Sequence, residues 1–132
     1  MKKLVLFVMA VIGFAGMSVA QDVWSSGFFT EGTYRQPAVY KNSTRMYYTT
    51  FSNGFYGDCT DVDVRGNDVY WVRNCLKNNE FRYSTIMKNN DMWMNPESST
   101  DGSHIYDLYR SSTGSLFAAG CKNVDGLKTA VV

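Results

Sequence analysis

The run Asp61-Val62-Asp63-Val64-Arg65-Gly66-Asn67-Asp68-Val69-Tyr70-Trp71-Val72 decides how this chain folds. β-Branched and aromatic residues stand on both sides of Gly66-Asn67, and such residues suit the pleated, half-buried surface of a strand. A Gly-Asn pair between two such runs supplies the positive φ that a two-residue hairpin turn demands. The pattern predicts strands over residues 60–65 and 68–75. Working outward, the polar stretch Leu76-Lys77-Asn78-Asn79 leads to a third strand over Glu80–Lys88. Asn89-Asn90 makes a second tight turn, because Asn tolerates positive φ, and Asp91–Met94 is the fourth strand. The long connection Asn95-Pro96-Glu97-Ser98-Ser99-Thr100-Asp101-Gly102 follows.

This unit recurs. Asp22-Val23-Trp24 returns as Asp68-Val69-Tyr70 and again as Ser115-Leu116-Phe117. Ala38-Val39-Tyr40-Lys41-Asn42 is answered by Thr85-Ile86-Met87-Lys88-Asn89, and Asp61-Val62-Asp63 by Asp107-Leu108-Tyr109. A spacing of 46–47 residues lies in the range of propeller-type repeats, whose unit is a four-stranded antiparallel blade. The expected fold is therefore all-β, with about two and a half repeats divided into blades over 22–51, 60–94 and 103–132. In that scheme 60–65 and 104–110 are inner strands, 52–58 repeats the long link, and the first and third blades each lack one strand. Ten strands fall short of a closed propeller, which takes four to eight blades. Trp24, Tyr70 and Phe117 share one repeat position, and a large apolar residue there is expected to pack between blades.

Residues 1–20 read as a leader rather than as part of the fold. Lys2-Lys3, an apolar run from Leu4 to Phe14 and the small residues Ser18 and Ala20 have the form of a secretory signal peptide. The apolar run is shorter than the roughly 20 residues that span a bilayer. Cleavage after Ala20 is expected to release 112 residues into the periplasm, the cell surface or the medium, with no membrane attachment. Lys+Arg 13 against Asp+Glu 12 excludes a basic nucleic-acid platform.

On these phrases the chain resembles secreted bacterial proteins built from propeller-like repeats. Their unit reads Asp-Val-Tyr-Val-Ala-Gly, then Ala-x-x-Trp-Lys-Asn-Gly, then a Thr-Asp-Gly link. Asp68-Val69-Tyr70, Ser115-Leu116-Phe117-Ala118-Ala119-Gly120, Lys41-Asn42, Lys88-Asn89 and Thr100-Asp101-Gly102 correspond. Tyr40 and Met87 replace the usual Trp, and Arg73-Asn74 stands where the pattern has Ala-Gly. The resemblance implies a partial array of structural repeats and no particular chemistry.

No catalytic constellation, metal site or cofactor motif emerges. The expected role is a secreted non-catalytic module that binds a glycan or protein through the loops between blades. The candidate ligand-binding residues are Tyr56, Asp58, Asp61, Asp63, Asp101, His104, Tyr106 and Asp107, on or beside the inner strands and long links. Asp61 and Asp63 alternate on one strand face, where they can present paired oxygens to a cation or discourage edge pairing. A propeller-type glycan hydrolase or lyase would have to draw on Asp61, Asp63, His104 and Asp107, and a scaffold without independent activity is the remaining alternative. Open blade edges invite self-association.

Export meets an oxidising environment, and three cysteines leave one unpaired. A one-residue bulge at Gly66 would set Cys59 opposite Cys75. That bridge would contribute about 3 kcal/mol in the chain-entropy picture, with Cys121 free.

Overall fold

The computed structural model describes residues 21–95, 102–125 and 127–131. The leader, Asp101 and most of the long link before it lie outside those residues. Eleven strands are described: β1 (Trp24–Glu31), β2 (Tyr34–Lys41), β3 (Thr44–Tyr48), β4 (Phe55–Asp58), β5 (Val62–Arg65), β6 (Asp68–Lys77), β7 (Glu80–Lys88), β8 (Asp91–Met94), β9 (His104–Arg110), β10 (Leu116–Val124) and β11 (Leu127–Val131). They form three antiparallel sheets: β1-β2-β3, a middle sheet β4-β6-β7-β8 with β5 also on β6, and β9-β10-β11. The all-β antiparallel class expected from the sequence is the class observed. None of the three sheets closes into a barrel among the described residues.

The turns form where their residues permit the backbone. Gly32, Asn42, Gly66, Asn78 and Asn89 each begin a two-residue turn with φ between 48° and 62°. Glycine and asparagine reach that region at little cost.

The strand count differs from the ten expected. Residues 52–58, read as part of a link, contain β4. The cause is the length of β6, ten residues, of which β5 covers only Asp68–Trp71. Asn74–Lys77 would otherwise present an unpaired edge, and Phe55–Asp58 fills it in antiparallel register. Between β4 and β5 the three residues Cys59, Thr60 and Asp61 stand opposite Val72 and Arg73, a one-residue bulge.

That bulge overturns the expected disulfide. The turn at Gly66-Asn67 is strict, with Arg65 opposite Asp68 and Val62 opposite Trp71. The extra residue enters farther along and shifts the register the other way, so Gly57 faces Cys75. All three cysteines are free thiols. Gly57 is required there, because a Cβ would run into the Asn74 carbonyl oxygen and the Phe51 ring.

The core has two layers, one on each side of the middle sheet. Successive side chains of a strand point to opposite faces. Val69 and Trp71 join Val39, Cys59 and Met87, with Trp24 and Tyr47 of the first sheet closing over them. Tyr70 and Val72 join Ile86, Ile105 and Leu108, with Leu116 and Ala118 of the third sheet. Burial on both faces explains why 69–72 reads as an unbroken apolar run rather than an alternating one. Each such side chain withdrawn from water contributes roughly 1.5–3 kcal/mol.

The repeat phrases make the same bonds twice. Lys41 pairs with Asp22 at 2.7 Å, and Lys88 with Asp68 at 3.0 Å. The Asn42 amide donates to the Val23 carbonyl at 2.8 Å, while its side-chain oxygen accepts from the Val23 N–H at 2.9 Å. Asn89 treats Val69 likewise, at 2.8 and 3.1 Å. The Asp-Val and Lys-Asn phrases thus clip the second and third strands of a unit together at the turn after the third. One expectation fails in this series. Trp24 and Tyr70 pack inside the molecule, but Phe117 is 47% exposed because no further sheet covers it among the described residues.

Candidate functional site

The expected site residues divide between two places. Tyr56 lies in an open cleft, whereas Asp58, Asp61, Asp63, His104, Tyr106 and Asp107 lie along the junction between the middle sheet and β9. Asp101 is outside the described residues.

The junction is organised by Asn74, which is fully buried. Its side-chain nitrogen donates to the Ile105 carbonyl at 3.0 Å, Thr60 Oγ1 at 3.1 Å and Asp58 Oδ1 at 3.2 Å. Its oxygen accepts from Ser84 Oγ at 2.6 Å and from the Ile105 N–H at 3.1 Å. The amide therefore pairs with both backbone groups of Ile105, as a neighbouring strand would. Asp61 extends the clamp, with one carboxylate oxygen accepting the Leu108 N–H and the other its neighbour Val62 N–H, both at 2.8 Å. Asp63 holds Arg110 through a 2.6 Å bond to Nε. Asp61 and Asp63 are thus tied to β9 rather than held open for a cation or left as solvated edge charges.

His104 is buried between the rings of Phe81 and Tyr106, whose centroids are 4.2 and 4.5 Å away. Its Nε2 is 3.8 Å from Asp58 Oδ1. Burial lowers its pKa, Asp58 opposes that shift and Lys128 reinforces it, so the imidazole is neutral near pH 7. The Asp61 carboxyl is pushed up, first by burial and then by the adjoining Asp107 carboxyl, while the Leu108 and Val62 amides pull it down. Asp107 and Tyr106 are exposed, and the Tyr106 hydroxyl meets Cys121 Sγ at 3.6 Å.

The cleft lies where three connections meet: the β1–β2 turn, the link into β4 and the β6–β7 turn. Thr33, Tyr34, Arg35, Gly54, Tyr56, Asn78 and Asn79 line a volume of about 370 Å³. Buried Gln36 places the link, accepting the Phe51 N–H at 2.8 Å and donating to the Phe51 carbonyl at 3.3 Å. Tyr34 and Tyr56 then stack with centroids 6.3 Å apart and planes 15° from parallel. The Tyr56 hydroxyl donates to Asn79 Oδ1 at 2.6 Å and accepts the Asn79 N–H at 2.8 Å, which fixes its ring. Tyr34 is 43% exposed. A shallow volume with a rigid aromatic wall and amide and guanidinium groups at its rim can take a ligand that is apolar on one face and hydroxylated at its edges.

Sequence reasoning found Tyr56 but passed over Tyr34, Arg35, Asn78, Asn79 and Asn74. For Asn74 a signal existed, since Arg73-Asn74 departs from the small-residue pair of the repeat pattern. The cleft residues come from three separate stretches of chain, 33–35, 54–56 and 78–79, and no local pattern links them. No family model, curated protein or solved structure matches the chain.

Proposed function

We propose that this protein is a secreted, non-catalytic β-repeat module that binds a glycan in the cleft lined by the Tyr34–Tyr56 pair. The observation that carries the reading is the stacked, partly exposed tyrosine pair bordered by Arg35, Asn78 and Asn79. Sugar rings offer a C–H face to an aromatic ring and hydroxyls to the amides and guanidinium around it. Tyrosine adds contact area at small entropic cost. The propeller-type reading of the array is supported by the meander order of β1-β2-β3, β5-β6-β7-β8 and β9-β10-β11 and by the doubled Asp–Lys and Asn–Val bonds. Secretion rests on the form of residues 1–20. The non-catalytic reading draws support from the junction, where Asp61, Asp63 and Asn74 are engaged in holding β9.

The test is titration calorimetry of the purified chain against a panel of neutral and acidic oligosaccharides, repeated with Tyr34→Ala. Loss of a stacking ring is expected to weaken binding at least tenfold, with the cost to folding limited to the Tyr56 contact, about 0.5–1.5 kcal/mol. Absence of binding to any oligosaccharide, or binding indifferent to Tyr34→Ala, would overturn the proposal.

A further inference from the structure

The two junctions inside this molecule follow one plan. At the first, Trp24 closes over the cluster that holds Val69 and Trp71 of the middle sheet. At the second, Tyr70 joins Leu116 and Ala118 of the third sheet. Trp24 and Tyr70 hold the same place in the repeat, and so do Val69 and Leu116. Each junction therefore seats the aromatic of one unit against the aliphatic side of the next.

Among the described residues, one half of this plan is left open on the first sheet and the other half on the third. Phe117 continues the series Trp24, Tyr70 and is 47% exposed on the face of the third sheet turned away from the middle sheet. Tyr109 stands directly opposite it on β9, 64% exposed, with ring centroids 6.4 Å apart. At the other end Val23 is the first member of the series Val69, Leu116. It is 65% exposed, whereas Val69 is buried. Val23, Ser25, Tyr40, Asn42 and Ser43 line a concavity of about 670 Å³.

We infer that a second copy of this chain occupies these faces head to tail, with Phe117 and Tyr109 of one copy seated in the Val23 concavity of the next. The occupant is a copy of the same chain because the two open faces are the two halves of a junction the molecule already makes twice. The faces differ, so the contact is heterologous and leaves each assembly with one free face of each kind. It buries side-chain faces, and so differs from pairing of exposed strand edges.

The experiment is light scattering on a sizing column, with sedimentation velocity, over a wide range of concentration of the purified chain. The average mass should rise with concentration. Val23→Asp alone and Phe117→Asp alone should each be monomeric, with unfolding transitions like the parent's because both side chains are exposed. Mixed in equal amounts, the two variants should form a dimer and nothing larger, since Val23→Asp keeps an intact Phe117 face and Phe117→Asp keeps an intact Val23 face. Tyr109→Asp replaces Phe117→Asp in the mixture if the latter unfolds. A parent that stays monomeric overturns the inference. So does either single variant that associates like the parent, or a mixture that remains monomeric.

Discussion

Replacing Asn74 by alanine should loosen the third sheet from the middle one more than any surface change. The substitution removes five side-chain bonds: two to Ile105, the short one from Ser84 at 2.6 Å, and those to Thr60 Oγ1 and Asp58 Oδ1. The Ile105 backbone is not wholly orphaned. Its carbonyl keeps Thr60 Oγ1 at 2.7 Å and its N–H keeps Ser84 Oγ at 3.1 Å. Two amide hydrogens serve three acceptors and Ile105 keeps other partners, so the loss is equivalent to two or three full bonds at about 1 kcal/mol each; with a small buried cavity it comes to about 3 kcal/mol. That is a large share of the 5–15 kcal/mol typical of a domain, and corresponds to a fall in Tm of roughly 12–20 °C. Asn74→Asp should cost more at neutral pH, because an oxygen replaces the donor facing Asp58 Oδ1 and the Ile105 carbonyl. An unpaired buried charge of that kind costs about 3–5 kcal/mol. Urea unfolding measures both, and amide exchange gives the location, with protection lost first at Ile105 and Leu108. An Asn74→Ala change below about 1 kcal/mol, or Asn74→Asp tolerated as well as Asn74→Ala, would refute the bridging role.

Two further outcomes concern titratable groups. The folded pKa of His104 is lowered from the ordinary 6.5, chiefly by burial, so the unfolded chain binds the proton more readily. Stability from this group is complete above about 6.5 and declines as pH falls from there toward the folded value, with a slope of at most about 1.4 kcal/mol per pH unit. Urea unfolding across that window should show the decline in the parent and a shallower one in His104→Gln; identical profiles would contradict it. Among the thiols, Cys121 should alkylate first under native conditions. Cys59 and Cys75 are buried, and burial pushes the Cys59 pKa up to about 12. Peptide mapping that found Cys59 labelled ahead of Cys121 would refute this ordering.

Much of the architecture was legible because it is local. Gly66-Asn67 and Asn89-Asn90 set their turns through backbone preferences that any observer of the sequence can apply, and Glu80–Lys88 and Asp91–Met94 form as read. The 46–47 spacing pointed to bonds that recur, Asn42 with Val23 and Asn89 with Val69. The site was less legible. Asp61 and Asp63 looked available for ligands, but their partners Leu108 and Arg110 lie 47 residues away in sequence. His104 stood beside a polar link, where exposure is the ordinary outcome, yet Phe81 and Tyr106 enclose it.

The sequence by itself determined the strand-and-turn order from β5 to β8 and the antiparallel all-β class, since strand-forming composition and turn chemistry act within a few residues. Only the tertiary structure decided that β4 completes the edge of β6, that Cys59 and Cys75 stay apart, and that Tyr34 meets Tyr56. Those outcomes depend on which unpaired backbone edge or open ring face a distant segment pairs with most favourably. The deciding free energy arises from hydrogen bonds and burial between residues that no local pattern relates.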